Sequence, residues 1–139
     1  MADAPKLDPF PVVTIPPSCA AGHREVIDFL LGQLVTLGKV RVEAIPALVL
    51  QIHQREAFGS TAIGRGVAVP HGETDTVASV VGILGESALG IPWPDSRDGR
   101  PVYRVCLVVL PEGPTAKLLR TLERLVRQLR GESLTISPG

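Results

Sequence analysis

The stretch Val102 to Leu110, VYRVCLVVL, constrains the fold more than any other part of this 139-residue chain. Its uninterrupted apolar run, Val105 to Leu110, leaves no polar side to face water. A strand of that composition belongs in the middle of a sheet whose two faces are both covered. The run is also the longest of its kind and falls far short of the roughly 20 residues that span a bilayer. No membrane segment is expected. The N-terminus, MADAPKLDPFPVV, lacks a basic start followed by an apolar stretch. A secretory signal is therefore not expected either, and the cytoplasm is the expected location.

Covering such a strand takes helices, and the sequence supplies them. Residues 1–17 carry five prolines and read as an extended lead-in, with Val12, Val13 and Ile15 offering an edge strand. From Ser18, a candidate N-cap, Val26, Ile27, Leu30, Leu31, Leu34 and Leu37 follow helical spacing until Gly38 stops the helix. Pro46 suits the first turn of a second helix, with Ala47, Leu48, Leu50, Ile52 and Phe58 as its apolar residues and Gly59 as its stop. Ile63 to Val69 and Val77 to Leu84 read as strands, the segment PHGETDT between them as a loop, and Gly85 to Pro101 as irregular. A last helix opens at Thr115, with Leu118, Leu119, Leu122, Leu125, Val126 and Leu129 on one side, and ends at Gly131. These elements predict a single three-layer α/β domain over residues 18–139, its sheet flanked by helices on both faces.

Charge and cysteine content narrow the function classes. Lys plus Arg and Asp plus Glu both total 14, so a nucleic-acid or anionic-membrane surface is not expected. Cys19 and Cys106 are far apart without a CxxC spacing, which argues against a disulfide framework or a zinc site; Cys106 reads as a small buried hydrophobe.

The chemistry concentrates in Arg55 to Gly72, REAFGSTAIGRGVAVPHG. Its glycines let the backbone approach a ligand, and His71 is delivered directly after Pro70. A neutral imidazole can bond covalently to phosphorus. Phosphoryl transfer then asks mainly for positioning and for donors around the moving oxygens. Candidates for those donors are Arg55, the hydroxyls of Ser60 and Thr61, and the backbone N–H groups around Gly64 and Gly66. On the residues alone an idle surface histidine remains the competing account of His71, and helix capping competes for Arg55. His71 with Glu73 and Asp75 makes a poor metal set, since His23 and His53 fall on helices without a supporting pattern. Gly64 to Gly66 lacks the third glycine and the following helix of a dinucleotide fingerprint, and there is no GxSxG elbow.

The string R-E-x-x-G-S-T-x-I-G-x-G-x-A-x-P-H-G at Arg55 to Gly72 resembles the signature of enzyme IIA domains of the fructose, mannitol and nitrogen-regulatory type, in the bacterial phosphoenolpyruvate-dependent phosphotransferase system. The likeness continues through D-x-x-D-G-x-P-V at Asp95 to Val102, Leu110-Pro111 and the Leu-rich helix after Thr115, about Ser18 to Gly131 overall. It implies a mixed β-sheet with helices on both faces. It implies that His71 is the phosphorylated histidine, charged by the histidine phosphocarrier protein and discharged to an enzyme IIB domain or read by a regulatory target, with no cofactor and no metal. Arg55, Ser60 and Thr61 match residues of the family motif. Two departures stand out. Leu118 falls where the family usually has a second histidine, and the family's C-terminal helix has no counterpart. That second departure leaves part of one face uncovered, or covered by a second copy in a homodimer. A non-catalytic binding module with the same fold, and an anion-binding sensor, are the alternative functions.

Overall fold

The computed structural model describes residues 10–96, 98–113, 120, 123–125 and 127–128. At its centre the apolar run forms a strand, Val102–Pro111, with Val105 to Leu110 all buried. In chain order the elements are β1 (Val12–Thr14), α1 (His23–Thr36), α2 (Ile45–Phe58), β2 (Ala62–Gly64), β3 (Val67–Ala68), β4 (His71–Thr74), β5 (Val81–Ile91) and β6 (Val102–Pro111), with short 3-10 turns at Pro17–Cys19 and Val42–Ala44. Residues 120, 123–125 and 127–128 are helical. The sheet order is β1-β5-β6-β3-β2, with β4 also pairing with β6. β1 runs parallel to β5, β3 and β4 run parallel to β6, and β5 is antiparallel to it. The sheet is therefore mixed.

Alternation along β6 builds the layers. Val105, Leu107 and Val109 join Val26, Ile27, Leu30, Leu31 and Leu34 of α1 and Leu48 and Ile52 of α2 in one buried cluster. Cys106, Val108 and Leu110 join Val67, Val69 and Leu125 in a second cluster on the opposite face. A period-2 strand facing two period-3.6 helices buries one side chain in two toward each layer. Full burial of one such Leu or Ile side chain contributes roughly 1.5–3 kcal/mol. The three layers expected from the sequence are thus present.

Several boundaries differ from the sequence reading. α1 begins at His23 with Gly22 as its N-cap, because a 3-10 turn takes up Pro17–Cys19; Ser18 does not cap it. Its C-terminus is as expected: Gly38, at φ +73°, donates to the Val35 carbonyl while Lys39 donates to that of Leu34. This is the paired bonding of a left-handed glycine cap. Leu37, Leu50 and Phe58 are exposed rather than core, Phe58 at 95%. The expected strand Ile63 to Val69 is a tight hairpin, β2 against β3, turning at Arg65 and Gly66. Both have positive φ, +59° and +74°, the geometry that matches a two-residue turn to the twist of its strands. β5 starts four residues later than expected and runs seven residues further, to Ile91, because pairing with β6 carries it through Gly85 and Gly90. Part of the Pro-rich lead-in belongs to the sheet as β1, on its edge. The expected start of the last helix at Thr115, its end at Gly131 and Leu118 itself lie outside the described residues; Leu125 is buried, as its apolar periodicity predicts.

Candidate functional site

His71 lies on a strand, not in a loop. Of the segment read as a loop from its Pro, His, Gly and Asp content, His71–Thr74 form β4, paired in parallel register with β6, His71 with Val108, Gly72 with Val109 and Glu73 with Leu110, while Asp75 and Thr76 turn as expected. Pro70 begins this pairing, its carbonyl accepting the Val108 N–H at 3.0 Å. The register places His71 and Glu73 on the face of Val108 and Leu110, whereas Gly72 faces α2. Gly72 is required there. A Cβ would come within 2.8 Å of Gln51 Oε1, 3.0 Å of Ile52 Cγ1 and 3.1 Å of Leu48 Cδ2. Gln51 also takes the Glu73 N–H at 2.6 Å, so a side chain from α2 occupies the outer edge of β4.

The ring of His71 is held at one nitrogen. Its Nδ1 is 3.0 Å from the Val69 carbonyl oxygen. A carbonyl only accepts, so Nδ1 carries the proton in that bond and, in the neutral ring, Nε2 keeps its lone pair. The half-exposed imidazole therefore presents a nucleophilic nitrogen.

The strand that bears His71 also meets a cation. Arg55, in the last turn of α2, has Nη2 3.6 Å from Glu73 Oε2, with both side chains partly exposed. Arg55 stands in the last turn of α2, where a cation suits the helix end, and its guanidinium also reaches the strand that bears His71. Among the described residues no group of three or more His, Cys, Asp or Glu side chains could hold a metal ion.

The match to known proteins follows the same outline. The profile of the family described as "Phosphoenolpyruvate-dependent sugar phosphotransferase system, EIIA 2" matches residues 13–135. The chain belongs to that family. This EIIA-type chain is 40% identical over 81 residues to the nitrogen regulatory protein of Bradyrhizobium diazoefficiens, a segment covering 58% of this chain and 52% of that protein. The matched segment thus spans about half the length of that curated relative. In structure it resembles the nitrogen regulatory protein IIA-Ntr from Neisseria meningitidis, with TM-score 0.67 and 24% identity, covering 91% of this chain and 85% of the other. It also resembles enzyme IIA mannitol from Escherichia coli, solved in complex with phosphorylated enzyme IIB mannitol, with TM-score 0.58 and 18% identity, covering 89% and 92%. At these identities the two structures speak to the fold, which is the layered mixed sheet described above.

Not every residue singled out in the EIIA signature stands beside His71. Ser60 Oγ accepts the Ala62 N–H at 3.0 Å, a local turn bond. The Thr61 hydroxyl and N–H both go to the buried carboxyl group of Glu56. Gly64 and Gly66 are separated from His71 by the length of the hairpin. Val67 registers with Arg104 and His71 with Val108, four residues along β6, or roughly 13 Å. Gly66 uses its carbonyl to accept from Tyr103 and Arg104. These two glycines serve the turn and the sheet, and the structure does not bring them to the imidazole. His53 is buried with Nε2 3.0 Å from Asp28 Oδ1, and His23 packs against the Trp93 ring at 5.6 Å with the two planes tilted by 54°, so both have packing roles. Sequence reading gave no role to Glu56 and considered Glu73 only as a metal ligand. The adjacency of Glu56 to Arg55 in the signature was the available signal for the first.

Proposed function

We propose that this chain is a phosphoryl carrier whose acceptor atom is His71 Nε2, charged by the phosphohistidine of a histidine phosphocarrier protein. The carried group then passes to an enzyme IIB domain, or the phosphorylation state is read by a regulatory target. The observation that supports this most directly is the Nδ1–Val69 carbonyl bond, which leaves Nε2 as the free lone pair. In the transfer, that lone pair forms the new N–P bond as the donor's N–P bond breaks, and the bonding electrons return to the donor nitrogen. The cationic ring so formed keeps its Nδ1 proton against the Val69 carbonyl, whose partial negative charge stabilises it. Arg55 supplies the complementary charge for the phosphoryl oxygens, in competition with Glu73.

Family membership supports the reaction class, and the nitrogen-regulatory relative supports a signalling use of it. The mannitol relative's complex supports an enzyme IIB domain as partner class. Among the described residues no helix is long and apolar enough to cross a membrane, and the proposal places the chain in the cytoplasm with its donor. Incubation with phosphoenolpyruvate, enzyme I and the phosphocarrier should give an acid-labile phosphate adduct on the wild type and none on His71→Ala. No adduct under conditions that label a control enzyme IIA overturns the reading. Stable partner binding indifferent to His71→Ala would then assign a non-catalytic module, which Leu118 at the family's second-histidine position favours.

A further inference from the structure

One buried acid has hydrogen bonds that lead toward the reacting ring. Glu56, in the last turn of α2 and only 8% exposed, accepts three of them. Its Oε1 takes the Thr61 N–H at 3.1 Å and the Trp93 indole N–H at 3.1 Å, and its Oε2 takes the Thr61 hydroxyl. Thr61 passes the constraint on, since its carbonyl accepts the Val69 N–H at 3.1 Å. Val69 in turn holds His71 Nδ1 through its own carbonyl. Two hydrogen bonds on one residue fix where Thr61 sits, and one hydrogen bond and one residue, Val69, then link that anchor to the oxygen that sets the His71 tautomer.

We propose that Glu56 is a positioning residue for His71, acting through Thr61 and Val69 to keep the proton on Nδ1 and the lone pair on Nε2. The inference rests on the reading of His71 as phosphoryl acceptor. A buried polar group that bonds only for stability would anchor the hairpin to α2 and leave the imidazole indifferent. Here the anchored Thr61 is bonded directly to Val69, the residue whose carbonyl selects the tautomer. Loss of the anchor frees Val69 to shift, and an ångström of misplacement at a nucleophile is enough to slow a reaction strongly.

The test uses the full chain and two readouts, ring 15N correlation spectra of His71 and the rate of phosphoryl uptake from the charged phosphocarrier. Wild type should show the neutral ring as the Nδ1–H tautomer alone. Glu56→Ala should show the Nε2–H tautomer as well and lose about tenfold or more in rate, with its far-ultraviolet circular dichroism unchanged. Glu56→Gln should restore both, because its amide oxygen accepts the two N–H donors and its NH2 can donate to the Thr61 hydroxyl. A folded Glu56→Ala with the wild-type tautomer and rate overturns the proposal. If Glu56→Ala fails to fold, Thr61→Val decides: the near-isosteric change removes one bond to Glu56, and an unchanged tautomer and rate overturn the proposal equally. The spectra need no phosphoryl donor. An unlabelled wild type would therefore sink the carrier reading while still judging Glu56.

Discussion

The guanidinium of Arg55 lies 3.6 Å from the carboxylate of Glu73, two residues beyond His71 on the same side of β4. The pair joins the end of a helix in one layer to a strand face belonging to the other. It is partly solvated, so its strength is at most about 1 kcal/mol. On the proposed role of His71, a dianionic phosphoryl group carried two residues from Glu73 would compete for the same cation and meet the carboxylate as a like charge. The proposal therefore expects phosphorylation to displace the resting ion pair.

Glu73→Gln should consequently raise the rate of phosphoryl uptake a few-fold, while Arg55→Ala should lower it by about 100-fold, the scale seen when one charge-stabilising donor is removed. Arg55→Lys should recover only part of the loss, because an ammonium is a point charge without the guanidinium fork. Rapid-quench measurement of phosphoprotein formation checks both directions; an unchanged rate in Arg55→Ala would remove the guanidinium from the site.

Gly72→Ala should destabilise the fold by about 1–3 kcal/mol, the usual cost of overpacking a tight interior. The three atoms that a new Cβ would meet within 3.1 Å belong to α2, and one of them, Gln51 Oε1, also carries the Glu73 N–H. Urea unfolding measures the loss. Phosphoryl uptake should fall in the same variant, since β4 cannot move off α2 without carrying His71 with it.

Stability should decline as pH falls below 6.5. Burial against Trp93 holds the His23 pKa below its ordinary value of 6.5, with Glu56 pulling the other way and His53 and Arg24 adding to the depression. The neutral ring is favoured in the fold, so the unfolded chain binds the proton more readily. Stability is complete above the unfolded pKa and is lost as pH drops through the folded one. Urea midpoints taken from about pH 7.5 to about pH 5.5 should show this slope, and His23→Gln should flatten it.

Cys106 should resist alkylation in the folded protein at pH 8, whereas Cys19 should react. Burial pushes the Cys106 thiol up to about 12, and its side chain sits between the sheet and the Leu125 helix. Cys19 is half-exposed on the 3-10 turn before α1. Intact-mass measurement should find one alkyl group on the wild type, none on Cys19→Ser, and two after unfolding.

Much of this was legible in the chain. The helical periods of α1 and α2, the glycine stop at Gly38 and the apolar β6 are local patterns, and each maps to one element. Residues that did not yield to local reading have a common cause. PHGETDT has turn-rich composition, yet its His71–Thr74 form β4 because Val108 to Pro111, 37 residues away, offer them a parallel partner. Ile63 to Val69 alternates like one strand, yet the positive φ angles at Gly64, Arg65 and Gly66 fold it into two. Leu50 and Phe58 fit a helical apolar pattern but point away from the sheet, which an amphipathic count cannot know.

The sequence by itself determined the fold class, because an all-apolar strand demands two covering layers, and it singled out His71 as the candidate, because a long motif surrounds it. Only the tertiary structure decided which nitrogen of that ring keeps its lone pair, which cation reaches its strand and which glycines lie away from it. Those depend on the register between β4 and β6 and on how α2 packs across them, which are non-local pairings that no run of neighbouring residues encodes.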